Sequence, residues 1–174
     1  MAFLAGCDRQ SGGDTQPPAA SETPGETPAG AVDRSHKGSR LPDLTFKDTA
    51  GQQINTAHLT GKPLLINLWA TWCGPCVAEL PTLDRLAGQG KVRVLAISQD
   101  TGASDKVAAF LQGKGLAELD PWLDPEGAAA SQWQVSTLPT SIYYDARGRE
   151  LWRVNGGMDW NGPVAAQLLA EAGK

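Results

Sequence analysis

By the pattern of its apolar positions, the chain divides near residue 40. Residues 8–40 carry almost no large apolar side chain, whereas from Leu41 onward apolar residues recur in short groups. Leu64-Leu65-Ile66-Asn67-Leu68-Trp69 and Val92–Ser98 are mostly apolar runs of strand length, as expected for strands buried on both faces. Between them Leu80, Leu83 and Leu86 fall on one stripe, predicting a helix over about 75–87. Further helices are predicted over 105–112, 126–133 and 162–172. Two hairpins complete the set. One pairs 44–46 with 52–55 through Asp48-Thr49-Ala50-Gly51; the other pairs 141–145 with 150–155 through Ala146-Arg147-Gly148-Arg149. The order ββ, βαβα, short helix, ββ, α demands a parallel pair with a crossover helix, then antiparallel strands. An α/β fold with a central mixed sheet flanked by helices follows.

Composition changes this picture little. The chain has 174 residues, 41% hydrophobic and 20% charged, enough for one domain once the N-terminus is set aside. Its net charge is −4, and the Lys and Arg residues are scattered, which argues against a nucleic-acid partner. No apolar run approaches the length of a membrane span.

The cysteines are Cys7, Cys73 and Cys76, an odd number, so at least one has a task other than an internal bridge. Zinc would need four ligands, and the only histidines, His36 and His58, both lie upstream of the Cys73–Cys76 pair without ligand spacing. No metal site is expected.

Leu4-Ala5-Gly6-Cys7 resembles the bacterial lipobox, in which a signal is cut before a cysteine that then carries lipid. Only six residues precede Cys7, fewer than a full secretory signal has. The segment 1–7 is therefore read as a truncated signal with Cys7 as lipidation site. Residues 8–40, rich in Pro, Gly, Ser, Thr and Glu, read as a disordered tether that lets a domain at 41–174 reach about 30 Å from its anchor. Asp8 after the cysteine resembles the signal for retention at the inner membrane.

Trp72-Cys73-Gly74-Pro75-Cys76 stands at a predicted strand-to-helix junction, and Leu138-Pro139-Thr140 opens a later strand. Over about residues 41–172 this combination resembles the thioredoxin fold. Within it, LLINLWATWCGPCVAELPTL, STLPTSIYYDARGREL and the N-terminal hairpin extension are most similar to the membrane-anchored, periplasm-facing TlpA/ResA-like thiol–disulfide oxidoreductases. A weaker likeness lies in Gly156-Gly157-Met158-Asp159-Trp160.

Helix N-termini favour anions, so Cys73 at that position is expected to be the exposed, acidic nucleophile and Cys76 the resolving thiol. The pair would cycle through a Cys73–Cys76 disulfide with no other cofactor. Pro75 sits where a helix tolerates proline, and Pro81 is expected to kink the helix by removing the bond to the Val77 carbonyl. Glu79 lies three residues beyond Cys76, hence on the same helix face, where a partly buried carboxyl could take the resolving thiol's proton. The resemblance implies that role, and Asn67 sharpens it. In thioredoxins this position carries a buried Asp, which Asn cannot replace as a proton carrier. The resemblance further implies a cis peptide before Pro139, with Leu138 offering its backbone to an extended substrate. Trp72, Gly74 and Pro75 would line the substrate rim while Trp69 packs inward.

Gly74-Pro75 is the thioredoxin-like dipeptide, with no basic residue near it. The expected potential is nearer about −270 mV (thioredoxin) than about −120 mV (DsbA), making the protein a reductase. Its likeness implies a DsbD/CcdA-type membrane donor and, as substrates, disulfides of apocytochrome c or of copper-site cysteines. A monomer is expected. Two alternatives stand beside this: a Sco-like copper chaperone, which would resemble CxxxC plus a distal His, and a disulfide-forming oxidase or isomerase.

Overall fold

The computed structural model describes residues 1–2, 30–102 and 105–173. Eight strands form one sheet: β1 (Ala31–Asp33), β2 (Thr45–Lys47), β3 (Gln53–Asn55), β4 (Leu64–Trp69), β5 (Arg93–Ser98), β6 (Trp122–Leu123), β7 (Thr140–Tyr144) and β8 (Glu150–Asn155). Among the described residues four α-helices accompany them: α1 (Gly74–Gly88), α2 (Asp105–Gly113), α3 (Ala128–Gln132) and α4 (Pro163–Leu169). The spatial order is β1-β8-β7-β4-β5-β6-β2-β3. The pairs β4–β5 and β5–β6 are parallel, and the others are antiparallel, so the mixed sheet expected from the element order is present.

β4 is the axis of the molecule, and all six of its residues are buried. Side chains alternate across a strand. Leu64, Ile66 and Leu68 enter a core with Phe46, Ile97, Trp133 and Tyr144, while Leu65 and Trp69 enter the opposite core with Leu80, Leu83 and Leu168. Asn67, one position from each of Ile66 and Leu68, therefore shares the face of Leu65 and Trp69, which α1 covers. This alternation places a polar side chain beneath the helix that carries the cysteines.

α1 begins where Cys73 leaves helical geometry (φ −89°, ψ 103°) and runs without ending through Pro81. Gly90, in the left-handed region at φ 66°, follows its last turn and donates its N–H to Ala87 O at 3.0 Å. The turn joining β7 and β8 is held by Asp145, whose Oδ1 accepts from Arg147 N and Arg149 N, both at 2.8 Å.

Two features depart from the sequence reading. Composition sets the tether's end at residue 40, yet Ala31–Asp33 already pair with Asn155, Val154 and Arg153 of β8, and Arg40 bridges to Arg149. Arg34 also pairs with Glu171 at 2.7 Å. The tether boundary is thereby corrected toward the N-terminus. Three residues show no strand periodicity of their own, and only the open side of β8 makes them a strand. β6, two residues long, is likewise formed by its neighbours. Cys7, Asp8 and most of the tether lie outside the described residues. Among the described residues no helix is long and apolar enough to cross a membrane.

Candidate active site

Cys73 and Cys76 are joined by a disulfide, with Cα atoms 5.3 Å apart. Cys73 is the residue before the first turn of α1, and its Sγ accepts from Cys76 N at 3.3 Å. Pro75 occupies the first turn, where no helical bond is lost. Sequence reasoning expects an exposed Cys73; the structure corrects this, because its side chain is folded back as the helix cap and only 7% accessible. Cys76 is at 0%, so Cys73 is the more accessible of the two. Gly74 and Pro75 are exposed beside it, and Trp72 is 71% exposed, whereas Trp69 is buried.

The loop before Cys73 is fastened to the end of β5. Asp100 accepts from Thr71 N at 2.9 Å and from Thr71 Oγ1 at 2.6 Å, and Ser98 Oγ donates to the same carboxylate at 2.7 Å. Sequence reasoning missed Asp100, since nothing in its local pattern links it to a loop 29 residues upstream.

Three residues beyond Cys76 on α1 lies Glu79, only 2% exposed. Its Oε1 accepts from Asn67 Nδ2 at 2.7 Å, and its Oε2 accepts from Met158 N at 2.9 Å. Asn67 Nδ2 also donates to Ser141 Oγ on β7 at 2.9 Å. Burial pushes the Glu79 carboxyl up from 4.5 to about 7. The Met158 and Asn67 donors oppose that rise, as does the Trp160 indole, which makes no hydrogen bond of ordinary geometry. Each carboxylate oxygen keeps a lone pair beyond the bond it accepts, so the group can hold a proton where it stands.

The Leu138–Pro139 peptide is cis, as the resemblance implies. Pro139 is buried, and its carbonyl accepts from Gly156 N at 2.9 Å. Leu138 is half-buried against both cores. Among the described residues its backbone N–H and C=O have no hydrogen-bond partner. Glu79 meets Asn67 on β4 and Met158 in the loop after β8. The Met158 contact escaped the sequence, because a backbone donor carries no side-chain signature. Gly156-Gly157-Met158-Asp159-Trp160 carries only a weak family likeness, with nothing in it that assigns Met158 to Glu79.

Comparison with known proteins places this geometry. The thiol:disulfide interchange protein DsbE of Xylella fastidiosa is 33% identical over 107 residues, covering 62% of this chain and 54% of its own. The thiol-disulfide oxidoreductase ResA of Bacillus subtilis is 29% identical over 124 residues, covering 70% and 69% respectively. This chain thus spans about half the length of the first of these relatives. Among solved structures, the exposed lipoprotein thioredoxin Etrx1 of Streptococcus pneumoniae superposes with a TM-score of 0.66 at 23% identity, covering 75% of this chain and 99% of that one. The fold is thioredoxin-like. Residues 36–169 match the sequence profile of the Redoxin family, and the chain belongs to that family.

Proposed function

We propose that this protein is a disulfide reductase, a thiol–disulfide oxidoreductase that uses Cys73 and Cys76 and needs no cofactor beyond that pair. The observation that carries the reading is the Cys73–Cys76 disulfide at the start of α1, with Glu79 buried on the same helix three residues further on. In the reduced enzyme, the Cys76 N–H that now meets Cys73 Sγ would stabilise a Cys73 thiolate, together with the positive end of the helix dipole. That thiolate attacks one sulfur of a substrate disulfide; the substrate S–S bond breaks, and its other sulfur leaves and takes up a proton. Cys76 passes its proton to Glu79 and attacks Cys73 Sγ. The mixed disulfide breaks, the second substrate sulfur leaves as a thiol, and two electrons have moved from enzyme to substrate. A carboxyl whose pKa is about 7 can accept and return that proton near neutral pH.

Gly74-Pro75 supports the direction, since nothing basic lies between the cysteines to over-stabilise the thiolate. Leu138, Trp72, Gly74 and Pro75 would form the docking rim for an extended segment, held by strand addition along Leu138. The protein would work on the periplasmic side of the inner membrane, anchored through lipid on Cys7 and fed electrons by a DsbD/CcdA-type membrane donor. Its substrates would be apocytochrome c or copper-site cysteines, in cytochrome c maturation or copper-oxidase assembly.

Two measurements test this. Cys76→Ser should trap a mixed disulfide on Cys73, and mass spectrometry of the trapped species names the partner. Equilibration with glutathione should give a potential near about −270 mV. A value above about −180 mV, together with efficient refolding of a reduced, scrambled substrate, would make it an oxidase or isomerase instead.

A further inference from the structure

Gly30, the residue just N-terminal to β1, reaches the same loop that supplies a donor to Glu79. Gly30 N donates to Gly157 O at 2.9 Å, and the next residue, Met158, donates its N–H to Glu79 Oε2, also at 2.9 Å. On the other side of Gly157, Gly156 N donates to Pro139 O at 2.9 Å. Further along, Trp160 N donates to Thr82 Oγ1 at 3.1 Å, and Thr82 Oγ1 donates to Glu79 O at 2.8 Å. Met158 and Trp160 are buried, so the loop is pinned at its far end. At its near end it is held by β1 and Gly30.

The approach of Gly30 to this loop leaves no room for a side chain. A Cβ there would lie 2.6 Å from Val154 Cγ1, 2.7 Å from Asn155 O and 2.7 Å from Gly156 O. Two of those atoms are backbone oxygens, which cannot rotate away. Gly156, at φ 104°, answers the same contact from the other side, since a Cβ on it would meet Gly30 Cα at 3.4 Å. The close packing is therefore built by a glycine on each of the two segments.

We propose that Gly30, with the strand it leads into, is a positioning element for the Glu79 carboxylate, holding Gly157 and through it the Met158 N–H in place. The segment that looks like plain tether in the sequence would then help to set the site's proton affinity. The groups packed on Glu79 are Asn67 from β4, Met158 and Trp160 from the loop after β8, and its helix neighbours on α1. No charged side chain contributes to its shift among the described residues; Cys76, disulfide-bonded here, is the one titratable neighbour on its helix face. The Met158 bond favours the ionised form, so weakening it must raise the carboxyl pKa further. The inference borrows from the proposed function only the importance of Glu79, and its test reads that group directly.

The full chain in its oxidised form, carrying 13C-labelled glutamate carboxyls, is titrated by NMR, with Glu79→Gln assigning the resonance. Gly30→Ala should move the Glu79 midpoint upward by about one pH unit. Val32→Ala, which trims a partly exposed β1 side chain and keeps its backbone pairing, should leave the midpoint in place. An unmoved midpoint in a folded Gly30→Ala protein overturns the proposal. Amide exchange of the unmutated protein gives a second test that needs no variant. The Gly30 and Met158 amides should open together, with protection within about threefold. Met158 protection about a hundredfold above that of Gly30 would show that the loop holds without the N-terminal segment, and the proposal would fail. A midpoint that moves while the pH profile of turnover does not would instead count against Glu79 as proton handler.

Discussion

Asn67 and Glu79 meet across the seam between β4 and α1, the amide donating to the carboxylate at 2.7 Å with both side chains buried. The contact makes Asn67 a selective partner, since its N–H₂ suits a carboxyl in either charge state, and a second acid there would not. In Asn67→Asp, two carboxyls share one dry site and cannot both ionise, so the pair keeps a proton well above neutral pH. Relative to the unmutated protein, we expect a loss of about 2 kcal/mol or more at pH 8.5 and much less at pH 5. Urea unfolding midpoints at the two pH values measure it, and equal losses would contradict the account.

Glu79 itself makes stability depend on pH. Its carboxyl titrates at about 7 in the folded protein against 4.5 as a free group. Between those values the native state keeps a proton that the unfolded chain has released. Stability therefore falls as pH rises through this window and is level on either side, a total of about 3 kcal/mol. Glu79→Gln cannot ionise, so the gap between variant and unmutated protein should shift in the variant's favour by that order from pH 4 to pH 8. Turnover of a protein disulfide should meanwhile slow by about a hundredfold in Glu79→Gln. Rates that stay unchanged from pH 5 to pH 9 would remove Glu79 from the chemistry.

Trp72 is an exposed aromatic next to Cys73 in the chain. Trp72→Ala buries nothing less and should change the melting temperature by no more than about 1–2 °C. Its effect should fall on KM for a protein disulfide, raised about tenfold, with the reduction rate of a small disulfide such as oxidised glutathione unchanged. A uniform loss on both substrates would mean that Trp72 shapes Cys73 instead of receiving the partner.

Far from the cysteines, Arg153 and Glu150 form a buried pair, with contacts of 2.5 Å from Nε and 3.0 Å from Nη2. Arg153 Nη1 also donates to the Trp133 carbonyl, tying β8 to the end of α3. Arg153→Met leaves Glu150 buried and unpaired, at a cost of about 3–5 kcal/mol. Adding Glu150→Leu should restore most of that loss, because the burial penalty leaves with the charge. Denaturant titration of both variants and the unmutated protein decides it; no recovery in the double variant would mean that the Arg153 bond to the Trp133 carbonyl and the Tyr144 Oη bond to Glu150 Oε2, at 3.3 Å, matter more than the charges.

The parts of the molecule that were legible in the sequence are those whose signal is local. Leu64–Trp69 declared a buried strand by its unbroken apolar run, and Glu79 declared its face by standing three residues from Cys76. The thioredoxin-like fold and the pairing of Cys73 with Cys76 followed from a resemblance that joined two distant motifs. What was hidden depended on contacts between distant backbones. Ala31–Asp33 form a strand only because β8 has an open side, and Met158 reaches Glu79 through an amide that every residue but proline carries. Asp100 stayed hidden for a related reason, since a carboxylate after a strand can cap any of several loops.

The sheet begins with β1 and ends with β3, each three residues long. An extended polypeptide that tries to zip onto either margin finds too few amides to hold it, and at β1 the run stops at Asp33 and Arg34. On the function proposed above, an unfolded, sulfur-bearing substrate would then settle along the Leu138 backbone and not along the margins of the sheet.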